Sequence, residues 1–214
     1  MDIGKLIIAR HHESKWNKLG VWTGSRDIGL TQHGKEMSIK MGALIKDTRV
    51  DCAFASQQVR SLETLTMMLE AIGRPNIPIE RSQALDERDY GDYTGKNKLE
   101  MKQLLGKEAY DRVHREWDCP IPNGETIKMV YERAVPYYKN VILPVLLAGK
   151  NVLMVSHGNA IRALMKYIEN IPDKEVRNLE MLFGSVIVYG VDQIGQMTSK
   201  ETRELKSRES HMHA

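Results

Sequence analysis

The sequence predicts an α/β fold: a three-layer, doubly wound, mostly parallel sheet with helices on both faces and a small helical lobe. Three observations point there. Several short runs are apolar almost without interruption, as strands buried on both faces are. The longer segments between them repeat apolar residues every three or four positions, the period of a helix with one buried face. The 214 residues are 42% hydrophobic and 28% charged, an ordinary globular balance at about the size of one domain.

Each element follows from its local pattern. Lys5-Leu6-Ile7-Ile8-Ala9 reads as a buried strand ending in Arg10 and His11. In residues 34–47, Met37, Met41, Leu44 and Ile45 share one helical face. Cys52-Ala53-Phe54-Ala55 is a second strand that ends at Ser56, and residues 60–72 form a helix burying Leu62, Leu65, Met68, Leu69 and Ile72. Residues 77–80 are a third, weaker strand. Residues 85–122 carry many charges and little strand character, which suits a small helical lobe. Residues 124–148 make a long helical pattern with Pro136 inside it, where a kink or break is expected. Asn151-Val152-Leu153-Met154-Val155 is a fourth strand, running into Ser156-His157-Gly158 and a helix over 159–170. Residues 186–191 are a fifth strand. Strand-helix alternation of this kind folds through right-handed crossovers. Residues 1–194 read as one domain. Beyond them apolar content collapses, so 195–214 are expected to be a mobile charged tail, with His211 and His213 at a frayed end.

Composition excludes several classes of function. Lys and Arg exceed Asp and Glu by only 31 to 28, too small a surplus for a nucleic-acid binder working by bulk charge. The two cysteines, Cys52 and Cys119, form neither a disulfide framework nor a CxxC zinc pair, which fits a reducing, cytoplasmic setting. No apolar run approaches the ~18 residues of a membrane span.

The chemistry should lie at the carboxyl ends of the strands, where ligands bind in open α/β sheets. Two such ends carry histidine. If both strands are central, His11 and His157 face one crevice with Arg10 beside them, a strong phosphate site. The helix after Gly158-Asn159 would aim its N-terminus at the same place. A metal held by His11, His12 and Glu13 is disfavoured, because neighbours on an extended chain point to opposite faces; no metal is expected.

These residues carry a resemblance. Arg10-His11-His12-Glu13-Ser14-Lys15-Trp16-Asn17 resembles the RHGESxWN motif of the cofactor-dependent phosphoglycerate mutases, within the histidine phosphatase superfamily. Thr23-Gly24 with Asp27, Leu30 and Gly34 resembles FTGWxDxxLxxxG, and Ser56, Arg60 and Thr64 fit SxxxRxxxT. Glu87-Arg88-Asp89-Tyr90-Gly91, then Gly95, Asn97 and Lys98, resembles ERxYGxxxGxNK, the block that points to mutases. Arg115, Asp118 and Pro120 to Thr126 resemble the RRSYDxPPPNGES segment of the short forms. His157-Gly158-Asn159 matches the second histidine motif, and residues 178–189 resemble NLxxPTGxPxVY.

The resemblance implies roles. His11 would be the nucleophile that forms a phosphohistidine, with Arg10, Arg60 and His157 around the phosphoryl group. Glu87 would be the general acid and base. Arg88, Tyr90, Lys98, His114 and Arg115 would hold the carboxylate and second phosphate of a phosphoglycerate. Ser14, Asn17, Thr23, Gly24, Gly158 and Asn159 would line the site. The expected reaction interconverts 3- and 2-phosphoglycerate, with 2,3-bisphosphoglycerate as phosphoryl primer and no metal; hydrolysis of a small phosphorylated metabolite is the alternative. A homodimer is compatible with this, and the C-terminal tail would help close the site. The chain departs from the pattern at His12 (Gly in the family), Ser25 (Trp), His114 (Arg) and Leu182-Phe183 (Pro-Thr). A side chain at position 12 either crowds the site or adds a donor there, and His114 would hold the distal anion less tightly than arginine.

Overall fold

A computed structural model describes residues 3–205. In chain order it contains β1 (Gly4–Arg10), α1 (Lys15–Lys18), α2 (Gln32–Ala43), β2 (Cys52–Ala55), α3 (Val59–Ala71), β3 (Ile79–Arg81), α4 (Lys98–Leu105) and α5 (Lys107–Arg115). There follow α6 (Ile127–Tyr137), α7 (Leu143–Leu147), β4 (Val152–Ser156), α8 (Gly158–Ile168), β5 (Ser185–Val191) and β6 (Met197–Glu204).

The six strands form one sheet in the order β3-β2-β4-β1-β5-β6. β3, β2, β4 and β1 pair in parallel; β5 and β6 run antiparallel. The α/β expectation of a mostly parallel sheet therefore holds. Period-two alternation explains the uninterrupted apolar runs. Along β1, Leu6 and Ile8 enter one core, with Val152 and Met154 of β4 and with Ala134, Tyr138 and Ile142. Ile7 and Ala9 enter the other, with Leu153 and Val155 of β4, Met41 and Ile45, and Leu65 and Met68 of α3. A sheet filled on both faces needs both residues of each pair to be apolar.

The predicted break near Pro136 takes a specific form. α6 continues through the proline and then opens into one π-helical turn, Tyr138–Ile142, before α7. Proline lacks the N–H that a regular ladder would use, and a π turn is one way for a helix to absorb a disturbed ladder. Within residues 85–122 the structure has α4, α5 and a short 3₁₀ turn, Gly91–Tyr93, packed around Trp22. The Trp22 ring stacks on Tyr90, Tyr93 and Tyr110 at centroid distances of 5.3–5.4 Å.

The expected mobile tail is corrected in part. Met197–Glu204 is β6, hydrogen-bonded along β5. Its exposed, charged sequence is what a sheet edge carries, since an apolar edge would invite pairing with other chains. The Arg203 guanidinium fastens it to α2's end through Leu44 O and Asp47. Residues 206–214, with His211 and His213, lie outside the described residues.

Candidate active site

Three neighbouring strand ends build the site. Arg10 of β1 is in register with Ser156 of β4, so the residues that follow, His11 and His157, emerge side by side with ring centroids 4.8 Å apart. β2 ends on the other flank of β4, and its Ser56 Oγ is hydrogen-bonded to His157 Nε2 at 2.7 Å. α3 begins three residues later and carries the wholly buried Arg60 into the crevice from its first turn.

The His11 ring is fixed by its own loop. Nδ1–H donates to the backbone carbonyl of His12 at 2.7 Å, which leaves the lone pair on Nε2. Burial holds the imidazole neutral, well below the ordinary histidine range. Arg60 and Arg10 add to that, and the bond to His12 opposes it. His157 is held neutral by burial and by the same arginines and His11. A neutral, oriented imidazole beside two guanidinium groups has the chemistry to act as a nucleophile toward an anion held there.

The cations have spare donors. Arg60 gives Nη1 to Arg26 O and Nη2 to Gly24 O and Gln58 Oε1, while its buried Nε has no partner among the described residues. Arg10 gives Nη1 to Met181 O, and its Nε is likewise unpartnered. Buried, unsatisfied donors are costly unless a ligand meets them. Desolvation pushes Arg60 down to about 10, so the site favours negative charge before any ligand arrives. Gly24 makes one of these contacts possible: its φ is +52°, and a Cβ would lie 2.8 Å from Thr94 Oγ1.

Glu87 lines the same cavity, just after the 3₁₀ turn Gln83–Leu85. Among the described residues, the three hydrogen bonds to its carboxylate all fall on Oε1: from Arg88 N, Asn159 N and Asn159 Nδ2. Asn159 also donates to Tyr90 Oη. The carboxylate is thus fixed by backbone and amide donors rather than by the Arg88 guanidinium. Farther along the wall lie Lys98, His114 and Arg115. Burial lowers Lys98 to about 8 and His114 to about 3, and the cations that further depress His114 are Lys98, Arg88, Arg115 and Arg162.

Of the residues singled out from sequence, Arg10, His11, Asn17, Thr23, Gly24, Arg60, Glu87, Tyr90, Lys98, His114, Arg115, Gly158 and Asn159 line one cavity. Three do not. Ser14 caps α1 and exchanges hydrogen bonds with Asn17. His157 lies behind His11. Arg88 is fully buried beneath the Tyr90 ring and donates Nη2 to Val113 O. His12 does not line the cavity, and its buried Nε2 has no partner among the described residues. Its Nδ1 accepts from Glu13 N, and the ring is buried against His33 and Phe183. Burial, then His33 and Arg10, lower it to about 4.

Sequence reasoning missed several lining residues, among them Trp22, Arg162, Glu180 and Phe183. Arg162 of α8 bonds the carbonyls of His114, Arg115 and Val176 and Asn159 Oδ1, tying the end of α5 to α8. Its only sequence signal was an arginine on the inner face of an otherwise apolar helix. Glu180 pairs with Arg115 at 3.3 Å across the rim.

Comparison with known proteins adds to this geometry. A model of the histidine phosphatase superfamily (branch 1) matches residues 6–200. The chain is 39% identical to a 2,3-bisphosphoglycerate-dependent phosphoglycerate mutase of Parvibaculum lavamentivorans, over 96% of this chain and 98% of the relative. It is 38% identical to a phosphoglycerate mutase of Schizosaccharomyces pombe, over 92% and 94%. Among solved structures, Bacillus stearothermophilus YhfR superposes with a TM-score of 0.79 at 27% identity, covering 91% of this chain and 94% of that one.

Proposed function

The chain belongs to the histidine phosphatase superfamily, and from that premise we infer that it acts as a 2,3-bisphosphoglycerate-dependent phosphoglycerate mutase. The observation that carries this is a cavity with two cationic poles. Arg10 and Arg60 lie at His11, and Lys98, Arg115 and Arg162 lie around His114. One pole suits a phosphoryl group in transfer. The other suits the far anions of the same small molecule, which a site for mere hydrolysis of a monophosphate does not need. His114, neutral at pH 7, offers that pole a donor but no charge.

The cycle follows from these positions. Phospho-His11 carries its phosphoryl group on Nε2. The O2 hydroxyl of 3-phosphoglycerate attacks phosphorus while Glu87 takes the hydroxyl proton; the O–P bond forms and the P–N bond breaks. The 2,3-bisphosphoglycerate so made turns over within the cavity. Its 3-phosphoryl group returns to His11 Nε2, Glu87 gives the proton back to O3, and 2-phosphoglycerate leaves. Arg10 and Arg60 carry the charge on the transferring oxygens, the task a divalent metal performs elsewhere. 2,3-Bisphosphoglycerate is then needed only to prime His11.

The test is conversion of 3-phosphoglycerate with and without catalytic 2,3-bisphosphoglycerate, coupled to removal of 2-phosphoglycerate. Isomerisation that depends on the primer is expected; release of inorganic phosphate without isomerisation overturns the reading. Glu87→Gln keeps the shape and an oxygen for Asn159 but cannot take the proton. Its kcat should fall ~10²–10⁴-fold with little change in KM. A kcat within a factor of three would remove Glu87 from the role.

A further inference from the structure

Two departures from the family pattern, His12 for glycine and Phe183 for threonine, meet in the fold. Their ring centroids are 5.5 Å apart. Phe183 sits on the turn between Leu182 and β5. That turn is pinned on one side by Ser185 N and Oγ on Leu182 O, and on the other by Arg10 Nη1 on Met181 O. The Phe183 ring lines the cavity with its face over Arg10, 3.9 Å from Cζ to centroid, and lies 6.1 Å from the His11 ring.

We propose that Phe183 is a positioning residue that sets the plane of the Arg10 guanidinium and screens phospho-His11 from water, with the His12 ring as its support. This rests on the mutase reading above. A guanidinium lying over an aromatic face keeps its in-plane donors free while the ring covers the face, and the buried Nε of Arg10 has no partner among the described residues and so stays available to the phosphoryl group. Threonine at 183 would uncover that face, and glycine at 12 would leave the phenyl ring without backing. The departure at position 12 then has a purpose outside the cavity, which is why His12 does not line it.

The step being suppressed is hydrolysis. A water oxygen attacks phosphorus of phospho-His11, the P–N bond breaks, the imidazole regains its lone pair, the water proton goes to solvent, and inorganic phosphate leaves. Each such event empties a primed site that only 2,3-bisphosphoglycerate can refill.

The experiment charges the protein with labelled 2,3-bisphosphoglycerate, removes the excess and follows loss of acid-labile phosphate, beside the mutase rate. Phe183→Thr should raise hydrolysis about tenfold while lowering mutase kcat, since Arg10 also loses its guide. A residue that merely stabilised the fold would lower both rates together. Phe183→Tyr, which keeps the face, should restore both. His12→Gly should raise hydrolysis too, and the double variant His12→Gly, Phe183→Thr should exceed Phe183→Thr by far less than the product of the two effects. Phe183→Leu, which keeps bulk and loses the aromatic face, reads the same quantities should the threonine variant fail to fold. Decay at the wild-type rate in Phe183→Thr, or in Phe183→Leu where the threonine variant does not fold, overturns the screen and leaves the mutase reading intact. A wild-type chain that takes up no acid-labile phosphate overturns the phosphohistidine reading, and the screen with it.

Discussion

Replacing His11 with alanine is expected to abolish mutase activity, lowering kcat/KM on the order of 10⁵–10⁶-fold, the scale on which removal of a covalent nucleophile is felt. The reason lies in what the site contains besides His11. Arg10 and Arg60 supply charge, and Glu87 handles a proton, but none can carry the phosphoryl group between two attacks. His157 cannot substitute. Its Nε2 is engaged with Ser56 Oγ, its Nδ1 is buried without a partner among the described residues, and the fully buried ring does not line the cavity. Direct transfer between two substrate molecules would need both in a cavity built for one. The alanine variant should therefore take up no acid-labile phosphate from labelled 2,3-bisphosphoglycerate, yet still bind it, because the cationic poles remain. Retention of more than about a hundredth of the wild-type rate would mean that the phosphoryl group travels another way, since a covalent route cannot survive loss of its nucleophile.

Much of this was legible before any coordinates. The runs 6–9 and 152–155 are apolar on both faces, which marks central strands, and each is followed two residues on by a histidine; adjacency of two such ends follows from the general position of α/β sites. The direction of the fifth strand was not legible. An apolar run carries no sign, and β5 runs antiparallel to β1 because the chain, after α8 and a 3₁₀ turn at Asp173–Asn178, returns through Leu179–Met181 to the cavity at the carboxyl end of β1 before β5 begins. β6 was misread as tail because an exposed edge strand is charged on both sides, so its pattern matches that of a solvated segment. The buried cations were hidden for a related reason. Nothing in the sequence shows that the carbonyls of Val113, His114 and Val176 wait for Arg88 and Arg162. Phe183 could be seen only as a departure from a motif; its contact with Arg10 exists only in three dimensions.

The same burial that prepares the site for an anion makes the ligand-free protein sensitive to acid. His11, His12, His114 and His157 are all held neutral in the fold, His12 at about 4, His114 at about 3 and the other two well below the ordinary value of 6.5. In the unfolded chain each titrates near 6.5. Below that pH the unfolded state binds more protons than the folded one, so stability falls as pH falls. The loss begins near 6.5 and continues down to at least about 4, where His12 begins to protonate in place. Each unmatched proton costs about 1.4 kcal/mol per pH unit, so four rings could remove on the order of 5 kcal/mol between pH 7 and 5.5. That is comparable with the whole stability of an ordinary domain, ~5–15 kcal/mol. Urea denaturation followed by tryptophan fluorescence, run without phosphate or substrate, should show a midpoint that collapses over this range. His114→Gln should flatten the slope by about one proton. A midpoint unchanged from pH 7 to 5.5 would mean that these rings protonate in the fold. Activity supplies the cross-check. The nucleophile is already neutral at pH 7 and stays so below it, so the acid limb of the rate should track the fluorescence transition rather than a titration of His11. Substrate, by filling the cationic poles, should move both curves to lower pH together.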